Sequence, residues 1–571
     1  MKFDTRSFAL NVFSFLLILC LMLLHVYTGE LILTGDEPRY LYVSVSIWEA
    51  NNLILPLSDW VQWQLTHSLP GNIPADRGIH SVIHSALISP LVGLGGLAAG
   101  RWGQFAVGVF PLLVVLAKYP NLLKIDALLW VSIYAISLPF FPYLRLLYPE
   151  IWLFCLLSLV LIGLSGTKLT KRGAWILFAL IISMPFFHVR MSLVALALGA
   201  VLLYRVFKES FFSRAELILL TIICLTSFIL FILYNKFLAG SGFSASAPFS
   251  PAIDVFFERL AVQLLSFRHG VILYSPVVIV GVSGLIIGAV KKNFYVTLCG
   301  LILFLYLVTF VWGAASESYT ARFWVAILPT LIIGSVFWWR SVGNIWRWII
   351  ALPLIFINIV NSALFVAKHY LFLENRFGSV SYDELYYIFG SKLHLGLIAL
   401  TDPFDFAVAG IDKDHSNLLA LSVLLIFILL AAFLGIYKRY SNLFGIALTS
   451  LFIYLLNSCL LIQYEAHQYT SEIGVDGQGQ TFMRFKFNDE QYVRGIKIGK
   501  YRDALLWGIQ DEFPKSFLIT GIESTGNVTL SSTTPGRQLL KFEQQKMKEI
   551  VITAIGQNAS SKWAHFDIKL F

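Results

Sequence analysis

Two adjacent carboxylates, Asp36 and Glu37, stand in Gly35-Asp-Glu-Pro-Arg-Tyr40, immediately after the first membrane-length apolar run, residues 8–28. Charge beside a membrane span is costly unless it is solvated, paired or used. One use is general-base chemistry, in which a carboxylate takes the proton of an acceptor hydroxyl as a new bond forms to its oxygen. At a membrane surface such a base suits a substrate whose leaving group is anchored in lipid. The same residues make a good helix start, because Pro38 suits a first turn and acids favour a helix N-terminus. The two readings are compatible.

A second constellation is cationic. Arg145 lies in Phe141-Pro-Tyr-Leu-Arg-Leu-Leu-Tyr148-Pro-Glu150, His188 and Arg190 in Phe186-Phe-His-Val-Arg, Arg268 and His269 in Ser266-Phe-Arg-His-Gly, and Arg322 in Ser318-Tyr-Thr-Ala-Arg-Phe-Trp. Guanidinium matches phosphate in fork geometry and permanent charge. For any single arginine, snorkelling to headgroups or an ion pair with Glu150 or Glu317 is the better explanation. For several on one side of the membrane, beside an acid pair, phosphate binding is the better one. Trp48, Trp60 and Trp63 fit an interfacial aromatic belt, although sugar stacking uses the same rings. His80 and His84 share a helix face at i and i+4 but lack a third ligand at a metal-binding spacing, so an ordinary polar role fits them better.

The elements that position these residues are membrane helices. Of 571 residues, 57% are hydrophobic and 13% charged, against about 25% charged in a soluble domain. The net charge of +9 is scattered between apolar runs, as cytoplasmic loops require, and not gathered into a nucleic-acid-binding patch. The five cysteines all sit in apolar runs, with neither a metal-ligand spacing nor a disulfide framework. The first run lacks a small-residue cleavage site and reads as a retained anchor.

Apolar patterning predicts spans near 8–28, 103–118, 125–143, 150–165, 174–187, 190–207, 216–235, 271–290, 294–312, 322–339, 346–366, 418–437 and 442–463. With about thirteen crossings, Lys2/Arg6, Lys118/Lys124, Lys168/Lys171/Arg172, Arg205/Lys208/Arg214, Lys291/Lys292, Arg340/Arg347 and Lys438/Arg439 all fall inside. The acid pair, the arginines above and the C-terminus then face outward. Parity favours a juxtamembrane or re-entrant segment at 81–99 over a full span. Residues 1–463 form the membrane domain, with a first outer loop at 29–102. Residues 464–571 alternate with period two between turn residues and read as a small antiparallel β-domain outside the membrane.

With those residues in place, the chain resembles the GT-C superfamily of membrane glycosyltransferases, which includes the protein O-mannosyltransferases and the lipid A aminoarabinose transferases. Its ordered pieces are Gly35-Asp-Glu-Pro-Arg-Tyr-Leu41, Leu147-Tyr-Pro-Glu150, His188-Val-Arg190, Phe267-Arg-His-Gly-Val-Ile-Leu-Tyr-Ser-Pro276 and Trp312-Gly-Ala-Ala-Ser with Arg322-Phe and Pro329. They are most similar to poorly characterised bacterial members, from which the chain departs at Arg39, where that group usually carries His. The resemblance implies an all-α GT-C bundle in a bacterial inner membrane, N-terminus cytoplasmic. It implies inverting transfer of a sugar from a polyprenyl-phosphate donor to a glycan, lipid or protein acceptor on the outer face. Asp36 takes the base position, with Glu37 in support and Glu150 at the second acidic position. Arg190, Arg268, Arg322 and His188 are candidates for the donor phosphate, and Arg39, Tyr40, Tyr148 and Arg145 for further contacts. Some members of the superfamily use a divalent metal and others do not; the residues leave both open. A transporter or flippase for lipid-linked saccharide would show repeat symmetry or paired broken helices, which the sequence lacks. A noncatalytic binding protein gives no reason for the acid pair.

Overall fold

The computed structural model describes residues 5–27, 37–50, 82–118, 124–166, 169–209, 212–239, 260, 264, 271–311, 322–368, 413–437, 442–450, 469–475, 481–500, 516–523, 526–533, 538–555 and 566–570. The chain divides into two compact units, Met1–Glu374 with Asn417–Ile453, and Asn375–Ser416 with Tyr454–Phe571.

The first unit is helical. In hydrocarbon a backbone must satisfy its own hydrogen bonds, so long apolar runs fold as helices. In chain order these are α1 (Thr5–Tyr27), α2 (Glu37–Ala50), α3 (Val82–Lys118), α4 (Ile125–Ala135), α5 (Phe140–Tyr143), α6 (Pro149–Ser165) and α7 (Lys171–Phe187). There follow α8 (Ser192–Glu209), α9 (Arg214–Ala239), α10 (Val271–Tyr274), α11 (Val278–Val290), α12 (Phe294–Val311), α13 (Leu328–Ser341), α14 (Asn344–Lys368) and α15 (Lys413–Ile436). Short 3-10 turns at Val189–Met191 and Arg322–Ile327 lead into α8 and α13. Among the described residues, five stretches are long and apolar enough to cross a membrane: Val82–Ala117, Val189–Glu209, Arg214–Tyr234, Arg322–Ser341 and Ile345–Ala363. The protein is an integral membrane protein with a helical membrane part.

Several expected spans have internal breaks. The run at 125–143 ends its first helix at Ala135 and resumes as α5; the run at 271–290 divides into α10 and α11. The largest departure is α3. Gly95 (φ −141°, ψ 19°) and Gly96 (φ 65°, ψ −160°) leave helical geometry. On a straight helix His84 and Gln104 would lie about 30 Å apart, yet their side chains meet at 3.3 Å. A Cβ on Gly100 would stand 2.7 Å from Val92, and one on Gly103 2.3 Å from Leu91. The segment is therefore a helical hairpin that reverses at Gly95–Gly96. Its first arm, about 20 Å long, is shorter than the ~30 Å hydrocarbon core. The segment expected at 81–99 and the span expected at 103–118 are its two arms.

Close backbone contact and buried polar groups hold the bundle. A Cβ on Gly284 would lie 1.8 Å from the Gly334 carbonyl oxygen, and one on Gly334 2.2 Å from that of Gly281, so α11 and α13 touch backbone to backbone. Tyr134 donates to the Val277 carbonyl at 3.1 Å and meets Ser335 Oγ at 3.1 Å. Ser275 donates to Asn358 Oδ1 at 2.9 Å, and Asn361 to the Tyr274 carbonyl at 3.2 Å. Trp338 and Ser283 donate to the Ala431 and Ile428 carbonyls of α15 at 2.9 and 3.0 Å. Between helices in lipid, where apolar burial gives no net drive, such bonds and small residues supply the specificity.

The second unit contains β1 (Tyr469–Val475), β2 (Thr481–Lys500), β3 (Ser516–Glu523), β4 (Gly526–Thr533), β5 (Gln538–Ile555) and β6 (Phe566–Leu570). They form one sheet in the order β1-β2-β5-β3-β4, with β6 on β2. Every pairing among the described strands is antiparallel. Ile550 and Ile552 are fully buried while Glu549 and Val551, which alternate with them, are partly exposed, the alternation of a sheet with one covered face. Arg484 and Glu549 bridge β2 and β5 at 2.8 Å.

Candidate functional site

Glu37 is the first residue of α2 and is fully buried. Its carboxylate is gripped by Arg101, from the second arm of the α3 hairpin, through Nε to Oε1 and Nη2 to Oε2, both at 3.1 Å. Oε1 also accepts the Leu147 backbone N–H at 3.1 Å. One carboxylate thus ties α2, α3 and the segment leading into α6. A bidentate pair at this depth compensates both charges, and losing either partner leaves the other stranded. The tie to α3 is reinforced at Tyr40, whose carbonyl accepts from Ser44 Oγ at 2.7 Å and Ser85 Oγ at 3.0 Å.

Glu150 follows Pro149 in the first turn of α6, a position that suits both residues. Its Oε1 receives Arg322 Nε at 2.7 Å, and both side chains are buried. The Arg322 guanidinium lies 4.0 Å from the Tyr148 ring centroid and 5.3 Å from that of Phe323. The Arg190 guanidinium stands 4.0 Å from the centroid of the same Phe323 ring. Arg190 is within electrostatic reach of Arg322, Glu150 and Tyr40. The Glu150 Oε2 oxygen is buried with no hydrogen-bond partner among the described residues.

A polar core joins these two ion pairs. Gln104 Nε2 donates to the Tyr148 carbonyl at 2.5 Å, which fixes the amide so that its oxygen faces Trp152 and His84. That oxygen accepts Trp152 Nε1 at 3.0 Å and meets His84 Nε2 at 3.3 Å. Facing an acceptor, His84 Nε2 must carry the proton, so in the neutral ring Nδ1 is the lone-pair nitrogen. Nδ1 is buried and has no partner among the described residues. The ring stands edge-on to Tyr40 at 5.1 Å, and Tyr40 lies 5.9 Å from Tyr148.

The structure therefore brings Glu37, Tyr40, Tyr148, Glu150, Arg190 and Arg322 into one cluster. Arg145 instead hydrogen-bonds the His25 carbonyl of α1, and His188 accepts the Arg190 backbone N–H at 3.2 Å as a local cap. Asp36, Arg268 and His80 lie outside the described residues, as does the side chain of Arg39. Among the described residues no three His, Cys, Asp or Glu side chains group as metal ligands.

Sequence reasoning missed Arg101 and Gln104; the ordinary polar role it preferred for His84 over metal binding is the hydrogen bond to Gln104. An ionisable residue within an apolar stretch was the available signal for Arg101. Assigning residues up to 102 to an outer loop concealed it. In all, the described part of the cluster holds two carboxylates, Glu37 and Glu150, against three guanidinium groups, Arg101, Arg190 and Arg322. The balance suits an anion. Compared with known proteins, the chain matches no family model and no curated protein.

Proposed function

We propose that the chain is an inverting glycosyltransferase that moves a sugar from a polyprenyl-phosphate donor to a glycan, lipid or protein acceptor at the outer face of a bacterial inner membrane. The observation that carries the reading is the convergence of Arg190, Arg322 and Glu150 beside a helix whose first residue directly follows Asp36. The membrane part is a GT-C-type bundle of about thirteen crossings, and the β-rich unit lies outside the membrane.

In this scheme an acceptor hydroxyl attacks the anomeric carbon while the bond from that carbon to the phosphate oxygen breaks. Asp36 takes the hydroxyl proton, and the bonding electrons leave with the polyprenyl phosphate. The leaving group is weakly basic and needs no acid; cationic side chains stabilise the charge it gains. Arg322 is engaged by Glu150, and Arg190, which packs on the same Phe323 ring, adds a second guanidinium beside that pair as the candidate contact for the phosphate. Glu37 acts through the ion pair with Arg101, holding the start of α2 in place next to Asp36.

The experiment is product analysis after membranes containing wild type, Asp36→Asn or Arg190→Ala receive radiolabelled polyprenyl-phosphate sugars. Wild type transfers label and Asp36→Asn loses roughly two or more orders of magnitude in turnover. Arg190→Ala raises the KM for the donor about tenfold or more, as loss of one charge-assisted contact implies, with acceptor saturation unchanged. An Asp36→Asn protein as active as wild type rules out the assigned base. Absence of transfer from every polyprenyl-phosphate sugar rules out the reaction class.

A further inference from the structure

A cavity of 1310 Å³ runs between α3, α4, α6, α8, α12 and α13, larger than the ~300–1,000 Å³ of ordinary small-ligand pockets. Its walls are apolar, among them Leu112, Val131, Phe154, Leu161, Ile332 and Val336. Along α13 it extends from Leu328 to Arg340, about 18 Å at helical rise and so close to the ~15 Å hydrocarbon depth of one leaflet. Arg322 precedes this helical run and Arg340 ends it. The polar end of the cavity is thus at the opposite end of the run from the cluster around Glu150.

The chemistry of that polar end is specific. Arg205 is spent on the Leu164 and Gly166 carbonyls at 2.8 and 3.0 Å and on Glu209 at 3.0 Å. Arg340 is spent on Asp126, with contacts at 2.5 and 3.0 Å. These pairs are neutral. What is left is the ammonium of Lys208, the hydroxyl of Tyr204 and the amide nitrogen of Asn293, all lining the cavity and exposed, with no partner among the described residues. One uncompensated positive charge and two neutral hydrogen-bonding groups stand over an apolar slot one leaflet deep.

We infer that this cavity is a binding site for an anionic phospholipid of the adjoining leaflet, its acyl chains between α6 and α13 and its phosphate on Lys208, Tyr204 and Asn293. The assignment is independent of the glycosyl-transfer reading. A zwitterionic lipid fits the slot equally well and offers the same phosphate, but its headgroup cation cancels that charge and leaves the site with the net positive charge of Lys208; a juxtamembrane lysine contributes about 1 kcal/mol to anionic-lipid binding, or roughly fivefold in affinity.

The test uses the full chain purified in mild detergent, with bound lipid counted by native mass spectrometry during competition between phosphatidylglycerol and phosphatidylcholine. The expected result is retention of about one phospholipid per chain with a preference of roughly fivefold for phosphatidylglycerol. Lys208→Glu abolishes that preference, Lys208→Arg keeps it, and Arg214→Glu, a charge change on α9 outside the cavity lining, leaves it unchanged. Val336→Trp, which fills the slot, lowers occupancy with either lipid. Equal retention of the two lipids by wild type overturns the assignment, as does an undiminished preference in Lys208→Glu. Should Val336→Trp fail to fold, the lysine series still decides.

Discussion

Asp36 and Glu37 are neighbours with opposite demands on their surroundings. Glu37 is buried and bidentate to Arg101, so Glu37→Gln strands a guanidinium and is expected to cost about 3–5 kcal/mol of stability. Asp36→Asn is expected to lose turnover while the thermal melt stays that of wild type. Melting curves run beside transfer assays separate the two, and a Glu37→Gln protein as stable as wild type would show that the ion pair contributes little. His84 offers a finer dissection. Glutamine there presents its amide near Nε2, keeping the bond to Gln104 and losing the lone pair of Nδ1; asparagine presents its amide near Nδ1 and loses Gln104. If Nδ1 receives a substrate hydroxyl, His84→Gln lowers kcat/KM by roughly threefold to tenfold, the worth of one neutral hydrogen bond, and His84→Asn retains more of it. A purely structural histidine reverses that order, because then only the bond to Gln104 counts.

At the scale of elements, the α3 hairpin is what delivers Arg101 and Gln104 to the cluster. Its turn depends on Gly96, whose φ of 65° with ψ of −160° is a conformation essentially reserved for glycine. Gly96→Ala is expected to cost on the order of 1–3 kcal/mol. A disulfide between cysteines at 92 and 100 should form only while the arms are folded back, because a Cβ on Gly100 would stand 2.7 Å from a Val92 methyl, so its yield reports the turn directly. The α11–α13 contact responds to volume instead of torsion. At Gly284 an added methyl meets the backbone of α13 and cannot be relieved by a rotamer change, so Gly284→Ala should destabilise by about 1–3 kcal/mol. Gly199, whose Cβ would meet nothing within 4 Å, is the control position for the same substitution. A Gly284→Ala melt equal to that of Gly199→Ala would mean that the helices separate at little cost.

At the scale of the molecule, the prediction concerns sidedness. Single cysteines at 36, 190 and 500 are expected to react with an impermeant thiol reagent from outside intact cells, and one at 171 only after permeabilisation, in a background lacking the native thiols. The basis is the distribution of Lys and Arg between apolar runs. Labelling of position 500 only after permeabilisation would mean an even number of crossings and an acid pair on the wrong side for an outward reaction.

Membrane residence and helical class were legible in the sequence because both follow from composition and from the need of a buried backbone to bond to itself. Glu37 as a helix start was legible for a similarly local reason: the proline after it and the preference of acids for a first turn. The partners were not. Glu150 and Arg322 are 172 residues apart and Glu37 and Arg101 are 64 apart, and no local pattern encodes which buried carboxylate meets which guanidinium. Loop-charge parity favoured a juxtamembrane or re-entrant segment at 81–99, but the position of the reversal at Gly95–Gly96 was not legible, because hydropathy averages over a turn two residues wide. Sequence alone decided that charged groups would stand beside membrane helices. Only the tertiary fold decided that Glu37 is a clamp and that Arg190 and Arg322 meet at the same Phe323 ring, because those outcomes depend on which helices pack against each other.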